Sequence, residues 1–402
     1  MNYIRRGSKA YRKVNLALFA GGFTTFAVLY CTQPMLPEFT REFQVSPTVA
    51  SLSLSVTTIA LSISMLLFGT LSEAWGRKPI MATSLFAASV LAIFTALSPT
   101  YHVLLAVRIL EGIVLAGLPA IAMAYLGEEI EPSSLGAAMG LYISGNSLGG
   151  LGGRVVTGML TDWFNWRVAI AGIGVISLLA SLYFFVSLPP SRHFQPRKLE
   201  VGKLLQSLWS HCRNGRLLAL FSIGFLLMGS FVTLYNYIGF QLIAPPYELS
   251  QTLVGWIFIL YLVGTFSSSW MGRLADRYGR HHILWAGIII FAVGACITLH
   301  GNLWLKIVGI AIFTFGFFGS HSIASSWVGL LASHDKAQAS SLYLFFYYMG
   351  SSIGGTAGGL FWSMFGWAGV VGMILFLLCL AFLLSLRLAV KGKSVQGHSP
   401  IG

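Results

Sequence analysis

Long apolar runs separated by short polar stretches dominate this chain. A helix needs about 20 apolar residues to cross the hydrocarbon core of a bilayer. Runs of that kind fall at 14–36, 48–70, 80–98, 102–126, 134–160 and 166–188, then at 217–243, 252–272, 282–300, 303–331, 338–362 and 366–389. The pattern predicts an all-α membrane protein of twelve transmembrane helices, since every backbone polar group inside lipid must be satisfied within its own segment. The organisation expected is an N-terminal six-helix half over 1–188, a cytoplasmic linker over 189–216 and a C-terminal six-helix half over 217–402.

The polar breaks repeat. Gly69-Thr-Leu-Ser-Glu73-Ala-Trp-Gly76-Arg77-Lys78 returns as Gly272-Arg-Leu-Ala-Asp276-Arg-Tyr-Gly279-Arg280-His281, at an offset of 203. A glycine, an acid four residues on and then Gly-Arg suits a tight turn between packed helices, because glycine accepts positive φ and ions sit well at helix ends. A second repeat sets Gly145, Asn146, Gly149, Gly150 and Gly153, ending at Phe164-Asn-Trp166, against Gly350, Gly354, Gly355 and Gly358, ending at Phe365-Gly-Trp367. Offsets near half the chain length imply a duplicated six-span unit with both copies in parallel orientation.

Composition agrees with contact to lipid. The 402 residues are 56% hydrophobic and 9% charged, with mean hydropathy +0.77, against roughly 25% charged in a soluble chain. The net charge of +13 does not point to nucleic acid, because the basic residues lie in short segments between apolar runs. With the N-terminus inside, the cytoplasmic segments hold Arg5, Arg6, Lys9, Arg12, Lys13, Arg77, Lys78, Arg192, Arg197, Lys198, Lys203, Arg213 and Arg216. Arg273, Arg277, Arg280, Lys336, Arg387, Lys391 and Lys393 join them, twenty of the 25 Lys and Arg. That bias predicts an inner-membrane protein with both termini cytoplasmic. Arg41, Arg167 and Lys306 then lie on the outer side, and Arg108 and Arg154 within spans. Four scattered cysteines (Cys31, Cys212, Cys296 and Cys379) have neither disulfide nor metal spacing. The basic N-terminus runs straight into retained apolar sequence, so no removable leader is expected. No HExxH or phosphate-binding loop is present, and no soluble domain that could hold a catalytic site, so neither an enzyme nor a cofactor is expected.

These motifs carry a family resemblance. Gly69…Glu73…Gly76-Arg77-Lys78 resembles the signature loop of the major facilitator superfamily, and Arg108-Ile-Leu-Glu111-Gly112 resembles its Arg-x-x-Gln-Gly motif. The glycine run of span five resembles the motif of its proton-coupled drug antiporters. Leu29-Tyr30-Cys-Thr-Gln33-Pro34 looks like the first helix of its bacterial twelve-helix efflux members. The resemblance covers essentially the whole chain. Glu73 departs from the usual Asp, Ala74 from a basic residue, Glu111 from Gln, and Asn146 from the proline of the antiporter motif. The resemblance implies a secondary transporter working by alternating access, expected to export small apolar or cationic compounds in exchange for protons. Import of a sugar or other metabolite by proton symport is the alternative. The partners expected are a small-molecule substrate, protons and membrane lipid, with the chain a monomer.

Ionisable residues inside spans usually face an interior or a water-filled cavity. Arg108 lies about 9 Å from the outer end of span four, and the resemblance implies that it controls the protonation of a nearby acid. Glu111, at i+3 on nearly the same face, is the acid placed well inside a span and the leading proton carrier. Arg154, about 12 Å in from the outer end of span five, is expected either to join them in a cluster or to reach Asp162 or an outer loop. Gly145, Asn146, Gly149, Gly150 and Gly153 form a glycine helix that the resemblance puts at the seam between halves, ordinary small-residue packing being the alternative. Tyr30, Gln33, Tyr235, Asn236, His321 and Tyr347 are candidate cavity residues, together with Phe231, Tyr237, Tyr343 and Phe346. An aromatic, weakly charged cavity suits an apolar solute better than a sugar. Gly69, Glu73, Gly76, Arg77 and Lys78, with Gly272, Asp276, Gly279 and Arg280, form the expected cytoplasmic gate. Glu73 is expected to act with Arg77 and Asp276 with Arg280, and Glu128-Glu129-Ile-Glu131 offers further acids for Arg77 or Lys78.

Overall fold

The computed structural model describes residues 3–194 and 201–396. Arg197 and Lys198, and the side chains of Lys391 and Lys393, lie outside that description. Fifteen α-helices follow in order: α1 Lys9–Tyr30, α2 Leu36–Phe43, α3 Pro47–Trp75, α4 Arg77–Ala96, α5 Tyr101–Leu115, α6 Ala122–Glu129, α7 Pro132–Trp163 and α8 Trp166–Ser187, then α9 Val201–Arg213, α10 Gly215–Ile243, α11 Gln251–Trp256, α12 Tyr261–Tyr278, α13 Arg280–Ile297, α14 Leu303–Leu331 and α15 Lys336–Gln396. The protein is all-α, and nine stretches of the described residues are long and apolar enough to cross a membrane. That number is compatible with twelve expected segments. α15 is broken at Gly366 (φ 60°, ψ −146°), at the expected boundary between the last two spans. α7 is long, but rich in glycine and polar residues. The expected span 102–126 is interrupted, α5 ending at Leu115 and α6 starting at Ala122.

Local chemistry sets the ends of the helices. Ser46, Thr100 and Asn165 accept from the backbone N–H three residues on, at the starts of α3, α5 and α8, satisfying donors that the first turn leaves open. Pro34 and Pro37 remove N–H donors just past α1, where the chain narrows to a 3₁₀ turn at Gln33–Met35 before α2. Gly76 and Gly279 carry the positive φ expected of the repeated turn, +97° and +90°, each ending one helix and starting the next. Gly69 and Gly272 do not: they sit inside helices, with open space where a Cβ would stand. Arg167 donates to Ala96 O and Ser98 O, and Lys306 to Thr298 O, closing the C-terminal ends of α4 and α13.

By contacts the chain divides into Met1–Val201 with Leu242–Phe258, and Gly202–Gln241 with Ile259–Gly402. This differs from a simple cut at the linker, because α11 packs with the first unit. A Cβ on Gly158 would lie 3.1 Å from Gly255 Cα, and Thr252 N donates to Asp162 Oδ2 at 3.1 Å.

In the first unit α1 lies against α7 along the glycine stripe. A Cβ on Gly145 would stand 2.5 Å from Phe19 O and one on Gly153 2.7 Å from Ala27 Cα, while Gly149 abuts Phe23. Asn146 stands over Gly22, and Gly150 borders Arg154. The stripe read as a seam between halves therefore faces α1 of its own unit, the close backbone approach that small residues permit. In the second unit the same arrangement recurs. A Cβ on Gly354 would lie 2.7 Å from Gly229 Cα and one on Gly358 2.6 Å from Thr233 Cγ2, pressing the first part of α15 onto α10.

Candidate functional site

The N-cap at Thr100 starts α5 so that Arg108 and Glu111 fall one turn apart and point inward. Both are completely buried. Arg108 Nη1 lies 2.5 Å from Glu111 Oε2. The guanidinium also donates to Ser53 O of α3 at 2.9 Å, and to Val28 O at 3.1 Å and Leu29 O at 2.8 Å in the last turn of α1. Carbonyls at a helix end lack intrahelical donors and carry the negative end of the dipole. Arg108 thus caps α1. Glu111 Oε1 accepts from Thr95 Oγ1 of α4 at 3.1 Å, so the pair joins four helices. Gly112 lets α5 approach α3 this closely, since a Cβ there would be 2.8 Å from Ala60 Cβ and against Thr57 O.

Arg154 of α7 holds the other side of the same break. It is 2% exposed. Its Nε donates to Gln33 Oε1 at 2.7 Å and its Nη1 to Gly150 O at 2.7 Å. The guanidinium stands 4.0 Å from the centre of the Tyr30 ring and 4.8 Å from that of Phe258, distances at which ring faces attract cations. One turn on, Thr157 Oγ1 donates to Cys31 O at 3.1 Å. Of the expected cluster, Arg108 and Glu111 meet directly, whereas the hydrogen bonds described for Arg154 go to Gln33 and Gly150. The end of α1 links the two arginines.

Around the first polar turn, Arg77 is 8% exposed. Its Nη2 lies 2.8 Å from Glu128 Oε1 of α6, and its Nη1 donates to Ser72 Oγ. Glu73, expected to act with Arg77, has no ion-pair partner among the described residues; Glu128 takes its place, because α6 brings it across from α4. Lys78 Nζ donates to Leu188 O. Glu129 is buried and accepts from Arg192 N at 2.6 Å and His193 N at 2.9 Å. The N-terminal segment is pinned beside it, Ile4 N donating to Glu129 O and Glu131 N to Ile4 O. In the second copy Arg280 Nη2 lies 3.0 Å from Asp276 Oδ1 on a more open surface, and its Nη1 donates to Ser326 Oγ.

The cavity candidates divide between the units. Tyr30 and Gln33 are in the first, and Tyr235, Asn236, His321 and Tyr347 in the second. There an aromatic cluster spans α10, α12, α14 and α15. Phe231 stacks on Phe317 at 3.8 Å between centroids, Tyr235 bonds Thr314 Oγ1 at 2.7 Å, and Tyr261 meets Tyr235 edge-on. His321 bonds Tyr343 OH at 2.9 Å and lies 4.6 Å from the Tyr347 ring. Asn236 is buried in α10. Phe317, Tyr261, Thr95 and Phe258 were not singled out from sequence. Phe313, Phe317 and His321 recur every four residues on α14, a helical stripe that offered a signal; Thr95 and Phe258 offered none.

Comparison with known proteins bears on this arrangement. A family model described as Major Facilitator Superfamily matches residues 18–243 and 236–400. An uncharacterized MFS-type transporter of Bacillus subtilis (strain 168), YybF, is 61% identical over 97% of this chain and 96% of its own length. The inner membrane transport protein YnfM of Escherichia coli (strain K12) is 47% identical over 96% of this chain and 93% of its own. The multi-drug resistance efflux pump PmrA of Streptococcus pneumoniae serotype 4 is 26% identical over 93% of this chain and 96% of its own. The crystal structure of a bacterial homolog of the human lysosomal transporter Spinster, inward-facing and unoccupied, has the same fold, with a TM-score of 0.79 at 16% identity, covering 96% of this chain and 99% of that one.

Proposed function

We propose that this chain, which belongs to the Major Facilitator Superfamily and is a multi-pass membrane transporter, works by alternating access and exports small apolar or cationic compounds in exchange for protons. The observation that carries this reading is the sealed Arg108–Glu111 pair. Taking two charges out of water costs several kcal/mol per ion, so a buried pair is a poor device for stability alone. A carboxylate in such a place can exist charged against Arg108 or neutral by taking a proton. Arg108 keeps three carbonyl acceptors when Glu111 is protonated, so its hydrogen bonds persist while its counter-charge is withdrawn. What changes is the pull that Arg108 exerts on the end of α1, where Tyr30 and Gln33 meet Arg154. Proton occupancy and the substrate wall are thereby joined through one short backbone segment.

Export over import rests on the likeness to a protein named as a multi-drug efflux pump and on the aromatic character of the second-unit cluster, which offers a sugar few hydrogen-bond partners. Within the exported class, apolar compounds are favoured over cations, because Glu111 is sealed and the charge beside Tyr30 is that of Arg154. The basic segments support cytoplasmic termini, and the likeness to a protein named as an inner membrane transport protein supports that membrane. A panel of compounds added to inverted vesicles with an imposed pH gradient tests the reading. Proton release on addition supports exchange; uptake that runs only with the proton, in right-side-out vesicles, would assign symport instead.

A further inference from the structure

We propose that α9 lies in the plane of the bilayer surface and binds anionic phospholipid, while its other side is fastened to the turn between α14 and α15. The proposal rests on the chain being a membrane protein and not on export, so either can fail alone.

At 100° per residue, Leu204, Ser207, Leu208 and His211 share one side of α9. That side is occupied. His211 is 1% exposed and stacks on His334 with ring centroids 4.6 Å apart. Ser210 Oγ bonds His334 Nε2 at 3.0 Å, and Ser207 Oγ donates to Asp335 Oδ2 at 2.6 Å. Beside it runs a second apolar strip, Leu205 and Trp209 with Cys212. Leu205 is 59% exposed and Trp209 65%. Exposed Arg213 borders this strip, and Lys203 and Arg216 flank it along the chain.

The position of α9 selects the occupant. It ends at Arg213, and α10 begins at Gly215 and runs 29 largely apolar residues. The bilayer surface must therefore lie within a turn or so of the end of α9. A helix at that level with a leucine–tryptophan strip edged by arginine is one that the headgroup boundary holds, its rings at the interface and its cations near phosphate. The basic flank matches an anionic headgroup. The anchored histidine side fixes the rotation of the helix, so that Leu205 and Trp209 face outward together. Lipid bound there steadies the 333–335 turn of the same unit.

The test uses the full chain in nanodiscs of phosphatidylcholine, with or without phosphatidylglycerol, and no other protein present. Nitroxides are placed through Leu205→Cys, Gln206→Cys and Trp209→Cys after Cys31, Cys212, Cys296 and Cys379 are each replaced by alanine. The expected result is that labels at 205 and 209 are open to oxygen and shielded from a nickel chelate, and that the label at 206 is the reverse. Three labels equally open to nickel would overturn the proposal and leave the strip to a protein partner. In the unaltered chain, hydroxyl-radical oxidation of Trp209 is expected to slow about fivefold on adding phosphatidylglycerol, and Arg213→Gln to remove that difference. Equal rates in both lipids would overturn the anionic part.

Discussion

At the scale of single residues, Arg108 and Glu111 must be judged together. Removing one partner leaves a buried charge uncompensated, at a cost of about 3–5 kcal/mol, whereas replacing both with apolar groups is often near neutral. Arg108→Met and Glu111→Leu are each expected to lower the unfolding temperature sharply. The double variant is expected to recover much of the loss and still fail to transport, measured by thermal unfolding in detergent beside vesicle flux. Additive losses would mean that the two side chains are not one unit. The pair itself was legible in the sequence, because i,i+3 spacing on a helix is a local fact. Its setting was not. Thr95 lies 16 residues from Glu111, and Gln33 lies 121 from Arg154; contacts between helices leave no spacing signal. Arg77 pairs with Glu128, 51 residues on and one of the further acids the sequence offered, rather than with nearby Glu73.

At the scale of elements, the Arg77–Glu128 bridge ties α4 to α6. Arg77→Ala and Glu128→Gln are expected to lower turnover with little change in substrate affinity, and Glu73→Gln to change neither, measured as rate against concentration in vesicles. Lost affinity with normal turnover would remove the gating role. The glycine stripe invites a sharper contrast. Gly149→Val drives a side chain into the backbone at Phe23 and is expected to destabilise by about 1–3 kcal/mol or more. Gly69→Ala meets open space within a helix and is expected to be neutral or to stabilise by up to about 1 kcal/mol. Unfolding temperatures of the two variants decide it. The turn glycines were readable because a Gly-Arg junction between two apolar runs leaves little else for the chain to do, yet only Gly76 and Gly279 need their φ. The break of span 102–126 carried a signal, Gly117 and Pro119 between α5 and α6, which a count of apolar residues passes over. On α9, burial and then the neighbouring His334 hold His211 below the usual histidine range. A base carried neutral in the folded state stabilises above its unfolded pKa, about 6.5, and that contribution is lost as pH falls below it. The protection of amides over 201–213, with the intrinsic pH dependence of exchange divided out, is therefore expected to fall on acidification from about pH 7.5 to about pH 5.5, and His211→Phe to flatten the response.

At the scale of the whole molecule, hydrophobic patterning and duplication carry the family assignment, because the length of a span and the offset of a repeat are properties of the chain itself. The first unit offers a sealed ion pair tied to the broken end of α1, and the second an aromatic cluster with His321 at its edge. In the proposed cycle a proton on Glu111 and a compound at the substrate wall exclude each other, which makes exchange obligatory. The direct measurement is proton flux from purified chain in proteoliposomes under an imposed pH gradient, with and without a transported compound, for wild type and Glu111→Gln. The account predicts that the compound triggers proton movement in wild type, and that Glu111→Gln still binds the compound, measured by tryptophan fluorescence, but moves no protons. Compound-driven proton flux of wild-type size in Glu111→Gln would contradict it.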